Sequence, residues 1–277
     1  MDVRAMRQDD LAAVEAVCEE ALWGPPPPDV LPWWRRRRVE HLLETDPRGC
    51  WVAADGQGAL TGAAIGIRRG GLWGLSLLAV VPEAQGRGVG RALLERALAY
   101  GDDCRAGMIV SSESPAAMRL YARAGFALRP CVALSGAPRF VPERPATVRD
   151  GEPADLRWMD AVARRARGAP YAAELALWLR FGGRLHAAEG RGFAVGLHSM
   201  LMVLAADDED VAADLLRSFL ATAPRGAELG VHHVPAGHDW AIRVGLDAGL
   251  ALSPTGALFV RGEPGHLAPY LPNGAFL

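Results

Sequence analysis

The chain has 277 residues, a formal net charge of -2 and a hydrophobic content of 50%. This length is sufficient for two domains that each bury a core. The near-neutral charge argues against a nucleic-acid partner, and no apolar stretch approaches the roughly 18 residues of a membrane-spanning helix. There is also no secretory leader at the N-terminus. We therefore predict a cytoplasmic protein that binds neither nucleic acid nor membrane.

The cysteine usage is typical of a reducing compartment. Cys18, Cys50, Cys104 and Cys131 all lie in the first half of the chain, and none of them forms a CxxC pair. Unpaired cysteines of this kind are more often reduced thiols than disulfides or metal ligands. No metal site is predicted.

An internal repeat organises the sequence. Three pairs of segments match in the same order: VRAMRQDDLAAVEAVCEEA with VRDGEPADLRWMDAVARRA, RALLERALA with ADLLRSFLA, and AMRLYARAGFAL with AIRVGLDAGLAL. The segment SGAPRFVPERPAT between the two sets is rich in proline, which is typical of a linker. We predict two copies of one domain, residues 1–135 and 148–277, joined by a linker at 136–147.

The elements of the first copy follow from hydrophobic periodicity and turn residues. We predict a strand at 3–6, a helix at 9–22 with Asp9 or Asp10 available as its cap, and a short helix at 33–44. The segments CWVAA, ALTGAAIGIRR and LWGLSLLAVV are predicted strands. A helix at 88–100, a strand AGMIVSS, a helix at 115–124 and a strand GFALRPCVAL follow. This order predicts an α/β (α+β) fold in which helices cover a sheet.

The most informative motif is the loop VVPEAQGRGVGRALL, in which Gly86, Gly88 and Gly90 alternate with larger residues. A strand that ends at Val81 and a helix that begins near Gly88 aim several unpaired N–H groups at one point. The helix dipole adds positive potential, and Arg87 and Arg91 offer charge-assisted bonds. The loop therefore predicts a phosphate-binding site, with a tight turn containing incidental glycines as the alternative.

LAVVPEAQGRGVGRALL, followed by SPAAMRLYARAGFAL, resembles the GCN5-related N-acetyltransferase (GNAT) family. The shared features are the Q/R-x-x-G-x-G/A signature for acetyl-CoA and a later helix that carries a tyrosine and precedes Gly-Phe. The resemblance is strong over 1–135 and extends weakly to 277 through the repeat. It implies two tandem GNAT-like domains, each with a mixed, splayed sheet flanked by helices. The pantetheine arm of coenzyme A would lie between the fourth and fifth strands.

The resemblance also implies a function, an acetyl-CoA-dependent N-acetyltransferase that transfers the acetyl group directly to an amine of a small molecule. The backbone of Leu78, Ala79 and Val80 would bind the pantetheine, and an N–H of Ala79 or Val80 would stabilise the tetrahedral oxyanion. The positions that match the family's loop are Gln85, Gly86, Arg87, Gly88, Val89 and Gly90, to which the charge argument adds Arg91.

Two further residues follow from the same resemblance. Tyr121 occupies the position of the family's general acid, which protonates the departing thiolate and also touches the cofactor, and its alternative role is packing on an amphipathic helix. Ser114 either caps that helix or bonds the pantetheine.

The sequence departs from several relatives at the general base. They carry a glutamate on or near the fourth strand, whereas LWGLSLLAVV contains no carboxylate. The amine must lose a proton before it attacks, because only about one molecule in a thousand is neutral at pH 7. The remaining candidates are Glu83, Glu113, His41 and Asp46, or a chain of water molecules.

The acceptor is expected beside the segment LWGPPPPDVLPWWRRRR. Trp23, Trp33 and Trp34 offer flat apolar walls, and the arginines at 35–38 could attract a carboxylate. Four consecutive arginines point in all directions around a helix, so no more than two can face one site. A solvated basic face is the alternative interpretation.

The second copy is predicted to have lost the site. The repeat places the acidic run at 207–210 under the glycine loop, where carboxylates would cap the helix and repel a pyrophosphate. It also places Gly245 under Tyr121, so the acid is missing. This copy either stabilises the first domain or completes the acceptor pocket, with the polar and aromatic residues His232, His233, His238 and Trp240.

Two other classes of function remain. A non-catalytic sensor of acyl-CoA would need the loop but not Tyr121, and a purely structural protein would need neither. The presence of Tyr121 favours an enzyme. The expected partner is a small-molecule amine, and the expected assembly is a monomer or a homodimer.

Overall fold

The computed structural model describes residues 1–23, 32–222, 224 and 226–277, with the backbone alone at residues 23 and 32–34. This part of the chain contains eight α-helices and thirteen β-strands. The chain divides into two compact units, residues 1–68 with 73–104, and residues 69–72 with 105–277. The domain boundaries predicted from the repeat stay a prediction, since they concern sequence similarity rather than compactness.

The first unit contains four strands and three helices. In chain order they are β1 (Asp2–Ala5), α1 (Leu11–Cys18), α2 (Pro32–Thr45), β2 (Cys50–Ala54), β3 (Leu60–Arg69), β4 (Leu72–Val80) and α3 (Val89–Ala99). The strands are neighbours in sequence order, and the β1–β2 and β2–β3 pairs are antiparallel. This is the strand order that short connections favour.

Helix α3 covers the sheet because its apolar residues recur at helical spacing. Val89, Leu93, Leu94 and Ala97 are all buried. A Cβ added to Gly62 of β3 would lie 2.8 Å from Leu93 Cδ1, so this glycine permits the close approach of helix and sheet.

The second unit contains the remaining elements. In chain order they are β5 (Ala106–Ser111), α4 (Pro115–Arg123), β6 (Ala127–Gly136), β7 (Arg149–Asp150), α5 (Leu156–Arg167), α6 (Ala172–Arg180), β8 (Arg184–Ala188), β9 (Gly192–Leu197), β10 (Met200–Ala206), α7 (Glu209–Ala221), β11 (Leu229–Pro235), α8 (Asp239–Asp247), β12 (Ala251–Gly262) and β13 (Tyr270–Leu271). Its sheet runs in the order β5-β12-β6-β11-β10-β9-β8-β7, with β13 on β10. The sheet is mixed, because β10 and β11 are parallel and the other described pairs are antiparallel.

Strand β12 lies between two strands that come more than a hundred residues earlier in the chain. Its residues pair with β5 from Ala257 to Gly262 and with β6 from Ala251 to Val260, both antiparallel. β6 in turn pairs with β11. The closing strands of the two sequence copies are therefore adjacent, and both neighbours of each closing strand belong to the other copy.

The first motif of the repeat builds the same local structure in both copies. Arg4 donates two hydrogen bonds of 2.7 Å to Asp10, and Arg149 donates two of 2.8 Å to Asp155. In each case the aspartate also accepts a backbone N–H three residues earlier. Residues that the sequence alignment pairs between the two copies therefore form the same hydrogen bonds.

The predicted elements are confirmed with one change in the first helix. The predicted helix at 9–22 consists of a 3-10 turn at Gln8–Asp10, helix α1 and a π-helical turn at Glu19–Trp23. Asp10 does not cap α1 through its side chain, because its carboxylate is bonded to Arg4 and to the N–H of Arg7.

Two further sequence expectations concern the cysteines and the membrane. All four cysteines are free, and burial raises the pKa of Cys18 to about 11 and that of Cys50 to about 12. Within the described ranges, no helix is long and apolar enough to cross a membrane.

Candidate functional site

The glycine loop connects β4 to α3 and has the conformation that its glycines predict. Pro82–Ala84 forms a 3-10 turn, after which Gly86 has φ +73° and Gly88 has φ +86°. These φ values lie in the left-handed region that other L-residues rarely adopt. No atom lies within 4 Å of a Cβ built on either glycine, so the glycines are required by backbone conformation and leave an open surface.

The loop presents the N-terminus of α3 to solvent. Gly88 is the N-cap, and no side chain caps the helix. The N–H groups of the first turn have no partner within the helix, and the helix dipole is positive at this end. Gln85, Gly86, Arg87 and Gly88 are all exposed, whereas Val89 is buried against the sheet and Gly90 is half-buried. An anion from solvent can therefore reach these N–H groups.

The two arginines of the loop are available to an anion. Arg87 is exposed, and the described residues include no ion-pair partner for it. Arg91 pairs with Glu95 on the same helix at 2.8 Å, with side chains that are 77% and 61% exposed. An exposed pair of this kind contributes little to stability, so Arg91 can leave it at small cost.

The end of β4 is tied to the loop. Gln85 Nε2 donates a 2.9 Å hydrogen bond to the carbonyl of Val80, and the N–H of Val81 donates to Thr61 on β3. Ala79 is buried, and Leu78 and Val80 are half-buried. The structure thus brings β4 and the loop residues together in one unit. The Gln85 side chain holds the loop to the end of β4, a role that the sequence did not predict.

Ser114 and Tyr121 lie on α4 in the second unit. Ser114 is exposed and its Oγ accepts the N–H of Ala117 at 3.4 Å, so it caps α4. Tyr121 is 5% exposed, and its ring meets Phe259 of β12 edge-on at a centroid distance of 5.5 Å. Burial raises the pKa of the Tyr121 hydroxyl above its usual value near 10. The hydroxyl is therefore protonated at neutral pH, as a general acid must be.

The candidates for the general base occupy different environments. Asp46 is 1% exposed and accepts hydrogen bonds from Thr45, from the N–H of Arg68 and from the Tyr100 hydroxyl. This carboxylate joins α2, β3 and the end of α3, so it is a structural residue and a poor candidate for the base. His41 is half-buried on α2, and Glu83 and Glu113 are exposed.

Glu83 has a neighbour that sequence reasoning missed. Desolvation and then a hydrogen bond with Glu83 raise the pKa of Glu20, which lies in the π-helical turn after α1. The pair puts two carboxyl groups beside the start of the glycine loop. The two residues are distant in the chain, and no spacing in the sequence links them.

The expected acceptor segment falls largely outside the described residues. Residues 24–31 and the side chains of Trp23, Trp33 and Trp34 are not among them. Of the four arginines, Arg36 and Arg37 are exposed and both pair with Glu40, and Arg35 and Arg38 are half-buried. The prediction that no more than two of these arginines can face one site agrees with this division.

In the acidic run of the second copy, a carboxylate caps the helix that follows, as predicted. Asp208 caps α7 by accepting the N–H of Val211 at 3.0 Å, and it also pairs with Arg191. Asp207 pairs with Arg165 at 2.9 Å. The N-terminus of α7 therefore already carries its anion.

In the second copy, strand β13 fills the gap between β10 and β11. The two parallel strands pair only at Met200 and Leu201, and further along β10 the partner is β13, at Leu204 and Ala205. No pattern in the sequence indicates that a segment of the chain itself takes this place. Residues Tyr270, Leu271 and 275–277 are buried, and Arg167 donates to the carbonyls of Phe276 and Leu277 at 2.8 and 2.7 Å.

The histidines and the tryptophan of the second copy do not form the predicted cleft together. His238 is 4% exposed, accepts the N–H of Tyr270 at 3.3 Å and donates to the carbonyl of Pro235 at 3.1 Å. Trp240 is buried in the core of the unit, whereas His232 is exposed and His233 is half-buried. His238 and Trp240 thus stabilise the fold. No group of histidine, cysteine, aspartate or glutamate side chains in the described part of the chain is placed to hold a metal ion.

Comparison with known proteins agrees with the geometry of the loop. Residues 9–126 match the model of the acetyltransferase (GNAT) family. No curated protein matches the chain. A candidate acetyltransferase from Pyrococcus horikoshii is similar in structure, with a TM-score of 0.80, 20% identity, and coverage of 99% of this chain and 94% of its own.

Two other solved structures show the same similarity. A GCN5-related N-acetyltransferase from Sphaerobacter thermophilus has a TM-score of 0.62 and 18% identity, over 95% of this chain and 96% of its own. One from Kribbella flavida has a TM-score of 0.61 and 17% identity, over 94% of this chain and 72% of its own. These matches extend over both sequence copies and confirm the predicted fold, a mixed, splayed sheet flanked by helices.

Proposed function

We propose that this chain, whose residues 9–126 match the model of the acetyltransferase (GNAT) family, transfers the acetyl group of acetyl-CoA to an amine of a small molecule. The family supports acyl transfer in general, and the observation that carries the finer proposal is the glycine loop. Gly86 and Gly88 leave an exposed surface over the uncapped N-terminus of α3, with Arg87 beside it. This is the chemistry that binds a pyrophosphate.

Different residues of this chain would carry out different steps of the transfer. The loop at 85–91 would hold the pyrophosphate, and the backbone of 78–80 would bind the pantetheine arm. The neutral amine attacks the thioester carbonyl, and an N–H of Ala79 or Val80 would stabilise the resulting oxyanion, an interaction worth roughly 3 kcal/mol. The attacking nitrogen would lose one proton to water, and Tyr121 would give its proton to the thiolate as the carbon–sulfur bond breaks. Tyr121 would then regain a proton from solvent, and the amide and free coenzyme A are the products.

We further propose that the N-terminal copy, residues 1–135, carries the one acetyl-CoA site. Support comes from the second copy, where Asp208 caps α7 and β13 pairs along β10. A pyrophosphate would meet the carboxylates of Asp207 and Asp208 there, and a pantetheine would have to displace a buried segment. Residues 148–277 would then keep the fold without the site, joined through a linker at 136–147.

The test is calorimetric titration of acetyl-CoA into the wild type and two matched variants. Gly88→Glu puts a carboxylate at the N-terminus of α3, whereas Gly58→Glu puts one at a turn glycine with a similar φ of +89° and equally open surroundings. We expect one site per chain in the wild type and in Gly58→Glu, and loss of binding in Gly88→Glu. A site that survives Gly88→Glu would contradict the proposal.

Release of free coenzyme A thiol, measured with a panel of amino acids, polyamines, aminoglycosides and peptides, tests the reaction itself. Release with an amine identifies the acceptor class. Binding of acetyl-CoA without release for any amine would favour the alternative of a non-catalytic acyl-CoA sensor.

A further inference from the structure

Strand β12 belongs to the second sequence copy, and it contacts α4, the helix that carries Tyr121. Phe259 of β12 pairs in register with Ile109 on β5 and with Leu128 on β6. A strand of the C-terminal copy is therefore inserted between two strands of the N-terminal copy. The helix between those two strands is α4, and it packs on β12.

Two side chains of β12 contact aromatic rings of the α4 segment. The ring of Phe259 lies edge-on to Tyr121, at a centroid distance of 5.5 Å and an interplanar angle of 74°. The guanidinium of Arg261 lies 4.9 Å from the centre of the Phe126 ring, just after α4. Phe126 is itself joined to Tyr121, because its N–H donates to the Tyr121 carbonyl at 3.2 Å.

The reciprocal position in the second copy lacks this contact. Gly245 of α8 is the repeat counterpart of Tyr121, and it faces Leu134 of β6. A Cβ added to Gly245 would lie 2.5 Å from Leu134 Cδ1. The exchanged strand thus meets an aromatic side chain in the first copy, whereas in the second copy a leucine packs closely on a glycine.

Phe259 is suited to fixing the direction of the Tyr121 ring. It is fully buried at 0% exposure, in the middle of a strand with a partner on each side. Edge-on aromatic pairs have a preferred geometry, and a tyrosine has only two side-chain torsions to fix. A ring held on such a support points its hydroxyl in one direction.

We propose that Phe259 is a positioning residue for acyl transfer, which aims the Tyr121 hydroxyl at the departing thiolate. The inference rests on the proposed function, in which Tyr121 is the general acid. It gives the C-terminal copy a part in the reaction of the N-terminal copy.

The test is a double-mutant cycle on coenzyme A release, with kcat and the KM for acetyl-CoA measured separately. General acids contribute on the order of 10²- to 10⁴-fold to rate. We expect Phe259→Leu to lower kcat by about tenfold or more, with the KM for acetyl-CoA within about twofold of the wild type. In the Tyr121→Phe background, where no hydroxyl remains to be aimed, Phe259→Leu should cause no further loss of kcat.

Two variants control for a general effect on folding. Val260→Ala shortens a buried side chain on the opposite face of the same strand, and it should leave kcat within about twofold. Phe259→Met also removes the ring but places an unbranched, flexible side chain there, and it serves if Phe259→Leu does not fold. Thermal melts of each variant show whether it is folded at the assay temperature.

The outcomes separate this inference from the function on which it rests. Equal losses of kcat from the Phe259 variant in both backgrounds, or no loss in either, would overturn the positioning role while Tyr121→Phe still lowers kcat. A silent Tyr121→Phe would overturn both roles and leave acyl transfer standing. No release of coenzyme A from the wild type with any amine would overturn the proposed function itself.

Discussion

The residues of the loop show which parts of a site a sequence can predict. The positive φ angles of Gly86 and Gly88 were predicted from residue type, because a loop that must adopt positive φ needs glycine. Both residues have a positive φ. The hydrogen bond from Gln85 to the Val80 carbonyl was not predicted, since a glutamine at this position serves binding and bracing equally well. Asp46 was one of several candidates for the base, and only its three hydrogen bonds show that its role is structural.

Asp46→Ala should therefore lower the stability of the fold rather than the rate of acetyl transfer. The change removes the carboxylate that accepts the N–H of Arg68 and the Tyr100 hydroxyl in a partly buried place. We expect a loss of about 2–3 kcal/mol in the free energy of unfolding, measured in urea. The affinity for acetyl-CoA should not change at temperatures where the variant is folded.

The control is Asp103→Ala, which removes a carboxylate that is 72% exposed and pairs with Arg68. It should cost far less stability than Asp46→Ala, because an exposed ion pair contributes little. Loss of acetyl transfer in Asp46→Ala without loss of stability would make Asp46 a residue of the reaction after all.

At the scale of elements, the sequence predicts which segments are strands but not which strands are neighbours. Periodicity placed β4, β5 and β6 close to their observed bounds, and the helix patterns of α3 and α4 were equally clear. The position of β12 between β5 and β6 was not predicted, because alternation along a strand records a buried face and carries no information about its edges. The filling of the gap beside β10 by β13, a two-residue strand, was missed for the same reason.

The paired motifs at the starts of the two copies give a prediction about pH. Hydrogen bonds from Arg149, from the N–H of Glu152 and from Trp158 lower the pKa of Asp155, with Arg149 as the largest cause. A carboxyl whose pKa is lower in the folded state stabilises the fold above its unfolded pKa near 4, and that stabilisation is lost as pH falls through the lower folded value.

Asp155→Asn should thus cost about 1 kcal/mol at pH 7, a figure that allows for solvent screening of the half-exposed Arg149. The difference from the wild type should shrink progressively below about pH 4. Urea unfolding at a series of pH values measures it, and Asp10→Asn in the first copy should behave in the same way. A difference that stays constant down to pH 2 would show that the ion pair does not contribute.

At the scale of the whole molecule, the strand exchange makes the two sequence copies dependent on each other. A fragment of residues 1–140 would contain β5 and β6 without β12, and the remaining fragment would contain β11 and β12 without β6. Each fragment would expose unpaired strand edges and apolar faces, which favour aggregation. A cut at 140 is suitable because Phe140 and Val141 are 70% and 57% exposed and lie outside any helix or strand.

We therefore expect neither fragment to unfold cooperatively when it is prepared alone, and the two to form one stable complex when they are produced together. Size-exclusion chromatography and thermal melts followed by circular dichroism distinguish the cases. Cooperative unfolding of residues 1–140 alone would show that the N-terminal copy does not need β12.

The exchange of strands also sets an order of events during synthesis. About 115 residues separate the end of β6 from the start of β12. A ribosome adds about 5–20 residues per second, so β5 and β6 wait on the order of 10 seconds for the strand that pairs with both of them. During that interval the nascent chain presents open edges on β5 and β6, which makes it a natural client for the chaperones that meet proteins as they leave the ribosome.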